Sequence, residues 1–199
     1  MADLLPRRRR EPGLCGRRAA LGILCGAAAS LGLDRGHAGA PAAGIVVRLV
    51  DHDGLMAEVA AHRGKVVVLD CWSTSCPPCV REFPNLVKLA AAHSPGVVCL
   101  SLAFEYEGIG AAEDSLPTVA AFLEQVGAHG VINMASREDA DAMYRKLELA
   151  SVPAVAVWRA DGSLAVRYDD DFAARTLGRP FTYADVEATV RDLLAEADR

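Results

Sequence analysis

The chain has one Cys-x-x-Cys pair and no second, and no His-x-x-x-His pair accompanies it. A zinc site begun by one cysteine pair needs two further ligands, so a metal centre is disfavoured from the start. Nothing spans a bilayer comfortably either. Ala19–Leu33 is uncharged and mostly small or apolar, but its fifteen residues fall short of a membrane span. No internal repeat of solenoid length is visible. The acidic run Asp169–Asp171 lacks the spacing of a calcium-binding loop and reads as a solvated turn. Positive charge is scarce outside the N-terminus. Without the first forty residues, which hold seven arginines and three acids, 14 basic residues face 23 acidic ones, a net charge of −9. That balance excludes nucleic acid as a natural partner.

What remains is an ordinary globular composition. The chain has 199 residues, 52% hydrophobic and 24% charged, enough for one domain with a core and a short extra segment. Its organising stretch is GKVVVLDCWSTSCPPCVREFPNLVKLA, residues 64–90. Val66–Leu69 is a β-branched run expected to form a buried strand. Val80, Phe83, Leu86, Val87 and Ala90 recur at helical spacing. Between them lies Cys76-Pro77-Pro78-Cys79. Two cysteines three positions apart at a helix start can close a small disulfide ring. The helix dipole and unpaired N–H groups favour a thiolate on the first, and only a thiolate attacks a disulfide. Cys76 is therefore the expected nucleophile and Cys79 the more buried resolving thiol.

The neighbouring residues extend the match. Asp70 precedes Cys76 by six residues, Trp72 follows it closely in the strand, and Cys79-Val80-Arg81-Glu82-Phe83-Pro84 carries a C-x-x-E-F-P pattern. Ser151-Val152-Pro153 lies far downstream, before the apolar run Ala154–Trp158. In these features the chain resembles thioredoxin, and more closely the exported TlpA/ResA-like thiol–disulfide oxidoreductases, over about residues 44 to 196. It departs at Ser75, where thioredoxin has tryptophan, at Cys71, where it has phenylalanine, and at Pro77, where it has glycine. The resemblance implies a buried acid at Asp70, a functional acid at Glu82, and a cis-proline loop at Pro153 facing the cysteines. A cis bond there exposes the Val152 backbone to pair with an incoming peptide strand. Trp72 is read as packing beside the site and, with Val152, as part of the surface that meets substrate.

The blander readings are a solvated strand-end acid at Asp70, an exposed helix acid at Glu82 and an ordinary strand-start proline at Pro153. For Asp70, four apolar residues before it and Cys-Trp after it favour burial. A buried carboxyl has a raised pKa and can take the proton of Cys79. Cys71 and Cys99 lie inside strand runs and read as small hydrophobes. A bond between them would be awkward on neighbouring strands.

Residues 1–40 read as a targeting segment. Arg7–Arg10 and Arg17-Arg18 make a basic region, Ala19–Leu33 an apolar one, and Ala38-Gly39-Ala40 and Ala40-Pro41-Ala42 resemble cleavage sites. An uncleaved anchoring N-terminus is the alternative. Residues 44–199 are expected to form one thioredoxin-like α/β domain. It has a first strand at Ile45–Val50, a helix at Leu55–His62 capped by Asp53, then strand Val66–Cys71 and the active-site helix to about His93. Strand Val97–Leu102, helix Leu116–Val126 and strand Val131–Met134 come next. Helix Arg137–Leu149, a hairpin around Ala160-Asp161-Gly162 and helix Tyr183–Ala197 complete it. The segment 116–134 resembles the central insertion of the TlpA-like branch.

The expected function is that of an exported, periplasmic or membrane-facing thiol–disulfide oxidoreductase. It needs no metal or organic cofactor. Its partners would be disulfide-bearing proteins and a membrane electron donor or acceptor, with loose membrane association, as in cytochrome c maturation. The alternatives are a peroxiredoxin-like peroxidase, whose proline position is held here by Leu69, and a metallochaperone or binding module of the same fold. The first asks for Pro-x-x-x-Thr/Ser-x-x-Cys and the second for C-x-x-x-C with a distant histidine, and neither pattern is present.

Overall fold

The computed structural model describes residues 44–197, and the proposed targeting segment lies outside them. The strand run at Val66 lacks polar alternation, the pattern of a strand covered on both faces. It forms β2 (Val66–Trp72), and every residue of β2 is buried. Val66, Val68 and Trp72 join one core with Phe83, Leu86, Leu123 and Val190. Val67, Leu69 and Cys71 join a second core with Leu55, Val59 and Met143.

Around β2 a six-stranded sheet forms in the order β1-β4-β3-β2-β5-β6. Its strands are β1 (Val47–Val50), β3 (Val97–Ala103), β4 (Ile132–Ser136), β5 (Ala154–Trp158) and β6 (Leu164–Tyr168). The first four in chain order are parallel, whereas β5 runs antiparallel to β2 and β6 antiparallel to β5. Helices α1 (His52–Ala61) and α4 (Ala140–Leu147) contribute to the second core, and α2 (Pro77–His93), α3 (Leu116–Val126) and α6 (Tyr183–Ala197) to the first. The pair α3–β4 inserts a strand between β1 and β3, as the central-insertion reading anticipates. Among the described residues no helix is long and apolar enough to cross a membrane.

Local chemistry moved several boundaries. Asp51, not Asp53, caps α1, because its carboxylate accepts from the Gly54 N–H at 2.8 Å and the helix starts one turn earlier than expected. Asp139 caps α4 through the Ala142 N–H, which keeps residues 137–138 out of that helix. The run Asp169–Asp171 is a solvated turn only at Asp170 and Asp171. Asp169 is buried, receives Arg167 Nε at 2.8 Å and accepts from the Phe172 N–H at 2.7 Å. It thereby caps the short helix α5 (Asp170–Phe172), which continues into a π turn.

Pro84 inside α2 has no N–H to give the Val80 carbonyl. The helix is held there by its packing. Trp72, Phe83 and Phe122 form an aromatic trio with ring centroids 4.8 to 5.4 Å apart. This trio joins the central strand, the active-site helix and α3 beneath the cysteines. Truncating its middle member, Phe83→Ala, removes a fully buried ring and leaves a cavity. Chemical denaturation should show a loss of about 3–5 kcal/mol.

Candidate active site

β2 ends at Trp72, and the next three residues turn the chain into α2. Ser73 is buried, and its hydroxyl accepts the Ser75 N–H at 3.1 Å and lies 2.8 Å from the Ser75 hydroxyl. The Cys76 N–H donates to the Ser73 carbonyl at 3.2 Å. From the loop after β3, Glu105 accepts from both the backbone N–H and the hydroxyl of Thr74. The turn is thus clamped to the end of the neighbouring strand. Glu105 escaped sequence reading, since an acid in an acidic loop carries no signal that it reaches back 31 residues.

Cys76 is the N-cap of α2 and is disulfide-bonded to Cys79. Cys76 is half-buried, while Cys79, one turn in, is only 2% exposed. The Cys79 N–H points at the Cys76 sulfur at 3.3 Å. Pro77 and Pro78 occupy the first two helical positions and have no N–H to offer it. An N-cap ordinarily accepts from the second or third helical N–H, and here only the third has one to give.

Facing the pair, the Val152–Pro153 peptide is cis. The Cys76 sulfur lies 3.8 Å from the Val152 carbonyl, a contact that becomes S–H···O donation in a reduced thiol. Ser151, just before, donates to Asp170 at 3.1 Å, which ties this loop to α5.

Asp70 lies on the face of β2 that carries Val68 and Trp72, and is 4% exposed. Burial pushes its pKa up to about 7, the Tyr183 hydroxyl donating to Oδ2 opposes that rise, and the negative charge of Glu82 adds to it. Tyr183 opens α6, 113 residues downstream, and no sequence pattern marked it. A cavity of about 420 Å³ opens here, lined by Asp70, Cys79, Glu82, Val152, Phe181 and Tyr183 among others. Glu82 is exposed at its rim and accepts from Asn85 at 3.0 Å.

The structure therefore brings Cys76, Cys79, Asp70, Glu82, Val152 and Pro153 to one place. Trp72 is different. It is fully buried against Phe83 and Phe122, presents no surface to a substrate, and its Nε1–H finds no acceptor among the described residues. Contrary to the expectation of a substrate contact, it is a packing residue. Cys71 and Cys99 are free and buried in opposite cores, which rules out a bond between them. Burial raises the pKa of both, that of Cys99 to about 12, so they are inert thiols.

A central β-strand leading to a dithiol at a helix mouth, opposite a cis-proline loop, is the thioredoxin arrangement, and the fold is the thioredoxin fold. Solved structures agree. The thioredoxin-like superfamily protein SPOA0173 superposes with TM-score 0.52 at 20% identity, covering 68% of this chain and 84% of that one. A thiol:disulfide interchange protein of the thioredoxin family from Chlorobium tepidum gives TM-score 0.50 at 20% identity, over 68% and 83%. No family model matches the chain. In sequence, one stretch of the chain resembles a thiol-disulfide oxidoreductase. It is 41% identical over 56 residues to the thiol-disulfide oxidoreductase ResA of Halalkalibacterium halodurans. That match takes in 28% of this chain and about a third (32%) of the length of that relative.

Two outcomes follow from the site's electrostatics. Asp70 titrates near 7 in the fold against about 3.9 in an unfolded chain. Its folded pKa is raised, so its contribution to stability is complete below about pH 4 and is lost as pH rises through 7. Asp70→Asn is neutral throughout. In urea unfolding of the oxidised protein, its stability relative to wild type should rise by roughly 1–4 kcal/mol between about pH 4 and pH 8. The second outcome concerns the missing donor. Pro78→Ala restores an N–H at the second helical position, so it should lower the Cys76 thiol pKa and make the pair more oxidising. Thiolate ultraviolet absorbance and a redox titration would show both changes.

Proposed function

We propose that the protein is an exported thiol–disulfide oxidoreductase that reduces disulfides in partner proteins. The observation that carries this reading is the Cys76–Cys79 pair at the start of α2, with Val152–Pro153 opposite and Asp70 beneath. The Cys76 thiolate attacks a substrate disulfide. One substrate sulfur leaves as a thiolate, and a mixed disulfide forms at Cys76. The Val152 backbone pairs with the incoming peptide strand and aligns its sulfur with the helix axis. Asp70 then takes the Cys79 proton, and the Cys79 thiolate attacks the Cys76 sulfur and expels the second substrate thiol. The substrate gains two electrons and the protein is left as the Cys76–Cys79 disulfide. Glu82 at the cavity rim, by its charge, holds Asp70 ready to accept a proton near neutral pH.

The same physical chemistry supports a reducing direction. A disulfide pair becomes an oxidant when its first thiolate is strongly stabilised. With Pro77 and Pro78 in place that stabilisation rests on the Cys79 N–H and the helix dipole. The resemblance to TlpA/ResA-like proteins implies recharging by a membrane electron donor and a place in cytochrome c maturation. The basic and apolar segment 1–40 fits export, with loose membrane association as its anchored variant.

Exposure decides the roles of the two cysteines. Cys79→Ser should accumulate covalent complexes with partner proteins through Cys76, visible on non-reducing gels. Cys76→Ser should trap almost none, because Cys79 is closed to a protein substrate. Trapping by the second variant instead would reverse the assignment. A potential near −120 mV rather than near about −270 mV would reverse the direction of electron flow.

A further inference from the structure

The hydroxyl of Tyr183 is the donor to Asp70 among the described residues, and no other side chain or backbone N–H reaches that carboxyl. We propose that Tyr183 is a positioning residue, which sets the ionisation of Asp70 and so keeps a carboxylate available to accept the proton of Cys79. This deepens the function proposed above and rests on the role given there to Asp70.

Three observations carry it. First, both partners are closed to solvent, at 4% exposure for Asp70 and 7% for Tyr183. A carboxylate with so little solvent contact depends on the few donors that reach it, so one hydrogen bond to it weighs more than it would at the surface. Second, Tyr183 keeps its proton and so can donate whenever Asp70 is ionised. Burial, and then the adjacent Asp70 charge, raise its own pKa well above the usual phenol range. The hydroxyl therefore favours the ionised form of Asp70 at every working pH. Third, the hydroxyl is held in place from outside the site. Arg179 grips Asp185 through both guanidinium nitrogens at 2.6 and 2.8 Å, and Asp185 also accepts from the backbone N–H and hydroxyl of Thr182 at 2.8 and 2.9 Å. The Tyr168 hydroxyl donates to the Asp185 carbonyl at 3.1 Å and so ties this turn to β6. The first turn of α6 is thus locked around Tyr183, and the donor needs no rearrangement when Asp70 ionises.

The other groups around Asp70 do not supply this. From α2 come Cys79, whose proton is the one to be moved, and Glu82, whose charge opposes ionisation. Arg81 and, from α5, Asp170 line the same cavity without bonding to Asp70. From β3 comes Cys99, a buried neutral thiol, and from β5 the apolar Val155, which pairs with Asp70 in register.

The test uses the reduced full chain as wild type, Tyr183→Phe and Asp70→Asn. Carboxyl carbon NMR follows the Asp70 titration, with Asp70→Asn identifying the resonance. Stopped flow against a short disulfide peptide separates the initial attack by Cys76 from release of the second peptide thiol, as a function of pH. In Tyr183→Phe the Asp70 midpoint should move alkaline by on the order of one pH unit. The release profile should move with it, so that release below the midpoint slows roughly tenfold. The attack by Cys76 should stay unchanged. Unfolding at about pH 5, where Asp70 is neutral in both proteins, should be near wild type because the ring is kept. A ring-fluorinated tyrosine at position 183 is a stronger donor and should move the midpoint the other way. A midpoint that stays in place in both variants overturns the proposal. A midpoint that moves while the release profile does not upholds the control of Asp70 by Tyr183, and overturns instead the proton-acceptor role of Asp70 in the proposed function.

Discussion

The burial of one carboxyl group constrains the whole active end of this molecule. Asp70 sits in the middle strand of the sheet, in a row otherwise made of Val66, Val68 and Trp72. An acid in that row opposes the hydrophobic pattern that makes β2 a strand at all, and it is tolerated because the pKa rises and a donor is provided. Much of the surrounding architecture answers that demand. The active-site helix covers Asp70 and brings Glu82 near it. The final helix is anchored so that Tyr183 arrives at Oδ2. The neighbouring position on β3 is Ser101, whose hydroxyl donates away from Asp70, to Asn133 on β4 at 2.9 Å, so this buried polar group is satisfied without the carboxyl.

A second constraint concerns the start of α2. A helix N-terminus favours a thiolate through its free N–H groups, but here two of its first positions are proline. Proline suits the backbone of a helix start while withholding its donor, so the same dipeptide that shapes the ring also limits the charge that the ring can stabilise. The turn before it is fixed from elsewhere, by Glu105 on Thr74 and by the Ser73 hydroxyl on the Ser75 N–H. The aromatic trio fixes the active-site helix against the central strand. Position and electrostatics of the sulfurs thus come from separate groups.

Much of this was legible in the residue order, and the reason is locality. The unbroken apolar run of β2, the helical spacing of Phe83, Leu86 and Ala90, the turn at Asp161-Gly162 and the extent of α3 depend on neighbours within one or two turns of chain. The cysteine pair is local as well: three positions at a helix start bring two sulfurs together wherever the helix goes. Errors arose where several similar residues competed for one local role. Asp51 and Asp53 both suit a cap, and only the backbone's direction out of β1 chose Asp51. Asp169 looked like its two solvated neighbours until Arg167 and the Phe172 N–H took its two oxygens.

By itself the sequence determined the elements, the buried central strand and the placing of two cysteines at a helix mouth, because these follow from periodicity, propensity and short-range stereochemistry. Tertiary structure alone decided what governs the acid beneath the dithiol. Whether Trp72 would touch a substrate or pack was settled by the arrival of Phe122 from α3. Cys71 and Cys99 were separated by the pleat, which sends them into different cores. Above all, Tyr183 meets Asp70 across 113 residues. No local pattern encodes such a contact, since it exists only when the last helix closes over the first core and brings a donor to the buried acid.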